Sequence, residues 1–107
     1  MFTGNENHDI KFADAGVLTK NYRLTIPAGD TLGGFFGKAA LLQILNQPNC
    51  VGIRYYYGLN ANNDKVLVIV GTDANENDLV DATNNYVCKE MSVLCPPHCG
   101  NNNVLNS

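Results

Sequence analysis

Three consecutive stretches, Val51-Gly-Ile-Arg-Tyr-Tyr-Tyr57, Gly58-Leu-Asn-Ala-Asn-Asn-Asp64 and Lys65-Val-Leu-Val-Ile-Val-Gly-Thr72, decide the fold. The outer two are rich in β-branched and aromatic residues, and the middle one holds the Gly, Asn and Asp that tolerate turn conformations. Together they predict a β-hairpin with a rather long loop. Val66 to Val70 is apolar at every position, so that strand must be covered on both faces, as a central strand is. One layer of helices cannot do this alone, and a second layer, the C-terminal tail or another subunit must cover the other face.

Upstream of the hairpin the periodicity is helical. From Ile10 to Ile26, the residues Phe12, Ala15, Thr19, Tyr22 and Ile26 recur at steps of three or four and fall on one stripe of an amphipathic helix, with Asp9 as its expected N-cap. Pro27 lacks an amide hydrogen and disfavours the α region before it, which ends the helix near Leu24 or Thr25. A second helix is expected from about Thr31 to Asn46. Its apolar residues surround most of the wheel, so it must be buried on more than one side, by its own fold or by a second copy. Gly33, Gly34 and Gly37 weaken its first turns by about 1 kcal/mol each.

Downstream, Asp73 to Asp78 reads as a polar turn. The segment 79–94 is compatible with helix or strand; a third strand at 85–94 beside Val66 to Val70 is the preferred reading. The expected fold is therefore α+β, with two N-terminal helices packed on a small antiparallel sheet centred on the hairpin at about 51–72. Residues 1–94 would form one domain, and residues 95–107 a tail rich in Cys, Pro and Asn. Such a tail cannot bury enough surface to order itself unless its cysteines are tied down.

The chain has 107 residues, 45% of them apolar and 16% charged, against a usual charged share of about 25%. This is the balance of a globular domain whose solubility rests on uncharged polar groups, here many asparagines. A formal charge of -3, with seven basic residues scattered along the chain, offers no footprint for nucleic acid. No apolar run approaches the roughly 18 residues of a membrane span. The N-terminal sequence has neither the basic nor the apolar region of a secretory signal, which predicts a cytoplasmic protein with reduced thiols.

Three of the four cysteines and one of the two histidines lie near the C-terminus, as Cys88 and Cys95-Pro-Pro-His-Cys99. Cys88, Cys95, His98 and Cys99 would supply the sulfur and nitrogen donors that zinc prefers, with Cys50 as an alternative to Cys88. The spacing is Cys-x3-Cys, however, and not the twice-repeated Cys-x2-Cys of strong zinc sites, the Cys-x2-Cys-His of haem attachment or the single Cys-x2-Cys of thioredoxin-like enzymes. Three states therefore stay open for this run: a metal shell, a disulfide formed under oxidation, and unpartnered thiols. His98 beside Cys99 could also pair as base and nucleophile, although a flexible tail holds catalytic geometry poorly.

The remaining motifs are weaker. Asp73, Asn75 and Asn77 imitate the start of a calcium loop, but Asp78 stands where that loop needs glycine and Asn84 where it needs glutamate. No glycine-rich phosphate cradle is complete. Arg23 and Arg54 lie among tyrosines, so that Tyr22, Arg23, Arg54 and Tyr56 form a candidate face for an anion, an aromatic ligand or a partner. The competing reading, in which each arginine caps an amphipathic surface or pairs with a carboxylate, carries more weight.

Four blocks, Thr19-Lys-Asn-Tyr-Arg23, Cys50-Val-Gly-Ile-Arg-Tyr-Tyr-Tyr-Gly58, Val70-Gly-Thr-Asp-Ala-Asn-Glu-Asn-Asp78 and Cys95-Pro-Pro-His-Cys99, occur in this order. In that combination the chain resembles a group of short, uncharacterised bacterial proteins, over roughly residues 10 to 100. The resemblance implies no activity or ligand. The reading that follows from the residues themselves is a small non-enzymatic interaction protein that self-associates, because its over-apolar helix and two-sided strand exceed what so short a chain can cover. A zinc-binding module is the alternative, and a thiol-dependent enzyme using Cys95 or Cys99 a third.

Overall fold

The computed structural model describes residues 1–90 and 92–107. Its elements are helix α1 (Phe12–Arg23), strand β1 (Gly33–Phe35), helix α2 (Lys38–Leu45), strands β2 (Gly52–Leu59) and β3 (Lys65–Thr72), a 3-10 turn (Ala82–Asn84), and strands β4 (Cys88–Lys89) and β5 (Val93–Cys95). The fold is α+β, as the sequence predicts. Its elements fall into two compact units, one made of Met1–Glu6 and Phe36–Ser92, the other of Asn7–Phe35 and Val93–Ser107. Among the described residues no helix is long and apolar enough to cross a membrane.

The first unit is built on the expected hairpin. Strands β2 and β3 pair antiparallel from Gly52↔Thr72 to Leu59↔Lys65. Asn60 shapes the loop between them: its side-chain oxygen accepts from the amides of Asn62 and Asp64, each at 2.9 Å, while Asn63 takes a positive φ of 62°. Asparagine tolerates both roles, which is why the loop is rich in it. Strand β3 is central in the order β2-β3-β4, and Val66, Ile69 and Val70 are buried on it, as its two-sided apolar pattern requires.

Helix α2 packs on β2 and β3 through Ile44, which is wholly buried. Gly71 permits that approach: a Cβ there would lie 2.9 Å from Gln47 Nε2, 3.0 Å from Cys50 Sγ and 3.3 Å from Ile44 Cγ2. Gln47 also fastens the chain leading into β4, because its Oε1 accepts from the amide of Val87 at 2.8 Å. Its Nε2 is buried and has no partner among the described residues. Replacing Gln47 by alanine should cost about 1–3 kcal/mol, since the Val87 amide loses its acceptor. Urea titration would check this, with an unchanged midpoint as the contrary result.

The second unit departs from the sequence reading at two places. Residues 31–46 were expected as one helix, but Gly33–Phe35 is strand β1 and the helix starts only at Lys38. Glycine is the weakest helix former after proline, and the backbone here finds a better partner. Strand β1 pairs antiparallel with β5 in the register Gly33↔Cys95, Gly34↔Leu94 and Phe35↔Val93. The expected third strand at 85–94, whose span includes Met91 outside the described residues, is correspondingly divided. Cys88–Lys89 joins β3 as β4, while β5 belongs to this second, two-stranded sheet. Residues 93–107 therefore share a unit with 7–35 and do not form a separate tail.

Helix α1 ends where Pro27 predicts, with Thr25 Oγ1 donating to the Tyr22 carbonyl at 2.7 Å. Its N-cap position is Lys11, which makes no side-chain capping bond, so Asp9 does not cap it as expected. The stripe of Ala15, Thr19, Tyr22 and Ile26 is half-buried, whereas Phe12 is 75% exposed. Gly16, on the same side as Ala15 and Thr19, is the buried residue of the helix.

Candidate functional site

In the first unit Arg54 and Tyr56 share a face of β2, because residues two apart on a strand point the same way. Both reach Asp78. Arg54 Nη1 donates to Asp78 Oδ1 at 2.6 Å and to the carbonyl of Glu76 at 3.2 Å, and Tyr56 Oη donates to Asp78 Oδ2 at 2.5 Å. Thr72, buried at the end of β3, adds a longer contact from Oγ1 to Asp78 Oδ1 at 3.5 Å. The Thr72↔Asp78 bridge brings the carboxylate there, after the turn 73–78 has closed on Asp73, whose Oδ1 accepts from the amides of Asn75 and Asn77. That turn is the polar turn of the sequence reading. Asp73 spends its oxygen on its own backbone.

The N-terminal segment completes this network. The Phe2 amide donates to the Ala74 carbonyl at 3.0 Å, and its ring lies 5.7 Å from the Arg54 guanidinium carbon, within cation–π range. Glu6 holds the segment's own turn by accepting from the amides of Thr3 and Gly4, and the Thr3 bond above all lowers its carboxyl to about 2. Arg54 is thus paired with a carboxylate, the structural reading favoured from sequence. Asp78 was the member sequence reasoning missed. The signal for it lay in Arg54 and Tyr56 being two apart on one strand face, which asks for a shared acceptor.

The network makes stability depend on pH at both ends of the scale. The hydrogen bond from Tyr56, and after it the bonds and charge of Arg54, hold the Asp78 carboxyl below its ordinary value against the opposing effect of burial. The same bond raises the Tyr56 phenol above its ordinary value. A carboxyl lowered on folding contributes stability that is full above its unfolded value, about 3.9, and fades as pH falls through the folded one. A phenol raised on folding contributes below about 10 and fades as pH rises through its folded value. Asp78→Ala should therefore lower stability by about 1–2 kcal/mol near neutrality, the lower part of the range for bonds to charged groups because the pair is partly exposed. The difference from the parent should shrink in acid and again in strong base. Melting temperatures from pH 2 to pH 11 would measure it, and a gap that stays constant in acid would contradict the assignment.

The second unit holds the other candidate. Cys95 and Cys99 are joined by a disulfide with their Cα atoms 4.7 Å apart, and Pro96, Pro97 and His98 project between them into solvent. The amide of His98 donates to the Leu94 carbonyl at 3.1 Å and closes the turn. Cys50 and Cys88 are free thiols in the first unit, Cys50 half-buried and Cys88 exposed on β4. Cysteine binds zinc as its thiolate, and the bridge engages both sulfurs of Cys95 and Cys99. Among the described residues no group of three or more His, Cys, Asp or Glu is placed to hold a metal ion, so the set Cys88, Cys95, His98 and Cys99 does not fit zinc in the bridged chain.

Arg23, expected on a common face with Arg54, lies in the second unit with Tyr22. Its Nη1 donates to the Leu105 carbonyl at 2.7 Å and its Nη2 to the main-chain oxygen of Ser107. The C-terminal residues also hold themselves. Asn106 Nδ2 donates to the carbonyls of Cys99 and Asn101, each at 3.1 Å, and the Asn103 amide donates to Asn106 Oδ1 at 2.8 Å. Val104 lies against Gly16 of α1 so closely that a Cβ on Gly16 would stand 2.7 Å from the Val104 carbonyl oxygen. The asparagine-rich end is thus an ordered clasp on α1. Compared with protein families, curated proteins and solved structures, the chain matches none.

Proposed function

We propose that this protein is a non-enzymatic interaction protein that binds a second copy of itself along the free edge of β2. The observation that carries the reading is the composition of that edge. β2 is the outer strand of its sheet and runs eight residues, Gly52–Leu59, with one charged residue and neither proline nor lysine. Outer strands that are not meant to pair are blunted by such residues. Tyr55, Tyr57 and Leu59 instead stand exposed on it, at 57%, 68% and 71%.

The sequence of β2 is self-complementary when two copies run antiparallel about a two-fold axis at Tyr56. Ile53 then faces Leu59 of the second copy, Tyr55 faces Tyr57, and Arg54 faces Gly58. Aromatic and apolar cross-strand pairs each contribute about 0.2–1 kcal/mol, and a like-charge pair would oppose them. None arises here, since Arg54, the single charge, meets glycine and is already paired with Asp78. The two sheets would join into one, with each β2 no longer an edge.

Sedimentation velocity over a concentration series tests this reading directly. The parent should dimerise in the micromolar range, and the double variant Tyr55→Lys, Tyr57→Lys should remain monomeric, because the two-fold register sets lysine against lysine. Mixing it with Tyr55→Glu, Tyr57→Glu should restore a dimer of one copy of each. A parent that stays monomeric at several hundred micromolar would overturn the proposal.

A further inference from the structure

We infer that the Cys95–Cys99 disulfide is a reducible site that locks the C-terminal segment onto α1, so that thiol–disulfide exchange with a small thiol or dithiol releases the clasp. Residues 100–107 are held from two sides, through Cys99 at one end and by α1 at the other. On one side, the bridge ties Cys99 to Cys95, the last residue of β5, which is itself fixed by pairing with Gly33 and by accepting from the Leu32 amide at 2.7 Å. On the other side, the Cys99 carbonyl accepts from Asn106, in the turn whose neighbours Leu105 and Ser107 accept from Arg23. The path from sheet to helix thus runs β5, sulfur bridge, asparagine turn, Arg23.

The bonds beyond the bridge are weak individually. Residues 100–105 are exposed, so each bond competes with water and is worth little net. Val104 rests on Gly16 of α1, where a Cβ would stand 2.5 Å from Val104 Cγ2. A covalent tie that fixes Cys99 lowers the entropy that these bonds must overcome, and its loss restores freedom to Cys99, where the segment begins. The bridge is also open to attack. Both sulfurs belong to half-buried residues, and the three residues between them are exposed.

The exchange balances without any further component. A thiolate of the dithiol attacks one sulfur of the bridge, forming a mixed disulfide and expelling the other sulfur as a thiolate that takes up a proton. The second thiol of the reagent, deprotonated, then displaces the first sulfur, which is protonated in turn. Two electrons and two protons pass to Cys95 and Cys99, and the dithiol becomes a disulfide. In a reducing cytoplasm the clasp is open, and oxidation closes it.

The test uses the full chain carrying Cys50→Ser and Cys88→Ser, so that only the bridge responds, with dithiothreitol as the probe. Alkylation followed by mass measurement should add no label before reduction and two labels after it. Hydrogen exchange at the amides of Asn103, Leu105 and Ser107 should quicken by about tenfold or more on reduction, and the exchange of α1 around Gly16 should rise with it. The double variant Cys95→Ser, Cys99→Ser should show the fast pattern with or without reductant. Two free thiols in air-oxidised protein, or exchange at 100–107 that stays within about twofold on reduction, would each overturn the inference. Should the double serine variant fail to fold, reduction of the folded, bridged chain gives the same reading by itself.

Discussion

Ile44→Ala should lower the stability of the first unit by about 2–5 kcal/mol, the largest loss expected from a single truncation among the described residues. Ile44 has no exposed surface and sits where α2 meets the hairpin, against Gly71 of the central strand. Removing three carbons there sacrifices their transfer energy and leaves a void. The void cannot collapse easily, because Gln47 and Cys50 fill the space beside it. The neighbouring Leu42 and Leu45 are each 42% exposed, and their alanine variants should cost far less. Urea denaturation followed by circular dichroism would rank the three, with a lower midpoint for Ile44→Ala at an unchanged slope. Equal losses for Ile44 and Leu45 would mean that α2 does not dock through the face described.

The hairpin and its central strand were legible in the sequence because their signals are local. A strand period, a loop of Gly, Asn and Asp, and an uninterrupted apolar run all lie within residues 51–72. Strand β1 was not legible for the opposite reason. Gly33–Phe35 becomes a strand only through pairing with Val93–Cys95, far along the chain, and no local pattern in either segment names the other. The over-apolar helix expected at 31–46 was a consequence: once 33–35 is removed from it, α2 has eight residues and one wholly buried side chain.

The candidate sites divide in the same way. Spacing alone left Cys95-Pro-Pro-His-Cys99 open between metal, bridge and free thiols, since Cys-x3-Cys is compatible with each. Geometry selects the bridge, with the Cα atoms 4.7 Å apart at the end of a strand. Arg54 and Tyr56 were legible only as members of one face with Tyr22 and Arg23, and Asp78 drew attention only as the residue that spoils a calcium loop. Its role depends on the fold of the 73–78 turn, which brings the carboxylate back beside Thr72. Arg23 illustrates the limit of composition: its tyrosine neighbour matched that of Arg54, but its partners are main-chain oxygens of the last residues.

Gly16→Ala separates the clasp from the disulfide and should reverse the usual sign of that substitution. Within a helix, glycine to alanine ordinarily stabilises by about 1 kcal/mol, because alanine loses less freedom on folding. Here the new Cβ would stand 2.5 Å from Val104 Cγ2 and 2.7 Å from the Val104 carbonyl oxygen, both inside the distance that Cβ atoms tolerate. Forcing a methyl group into packed surroundings costs about 1–3 kcal/mol, enough to cancel the helical gain and displace the segment. Trimming the partner distinguishes the two clashes. Val104→Ala removes Cγ2 and leaves the carbonyl, so the double variant Gly16→Ala, Val104→Ala should remain loosened. The bridge should persist in both variants, with no label taken up by Cys95 or Cys99, while the amides of Asn103 and Leu105 exchange as fast as in the reduced parent. If Gly16→Ala instead raises the melting temperature and leaves those amides protected, Val104 does not rest on α1, and the bridge has no clasp to lock.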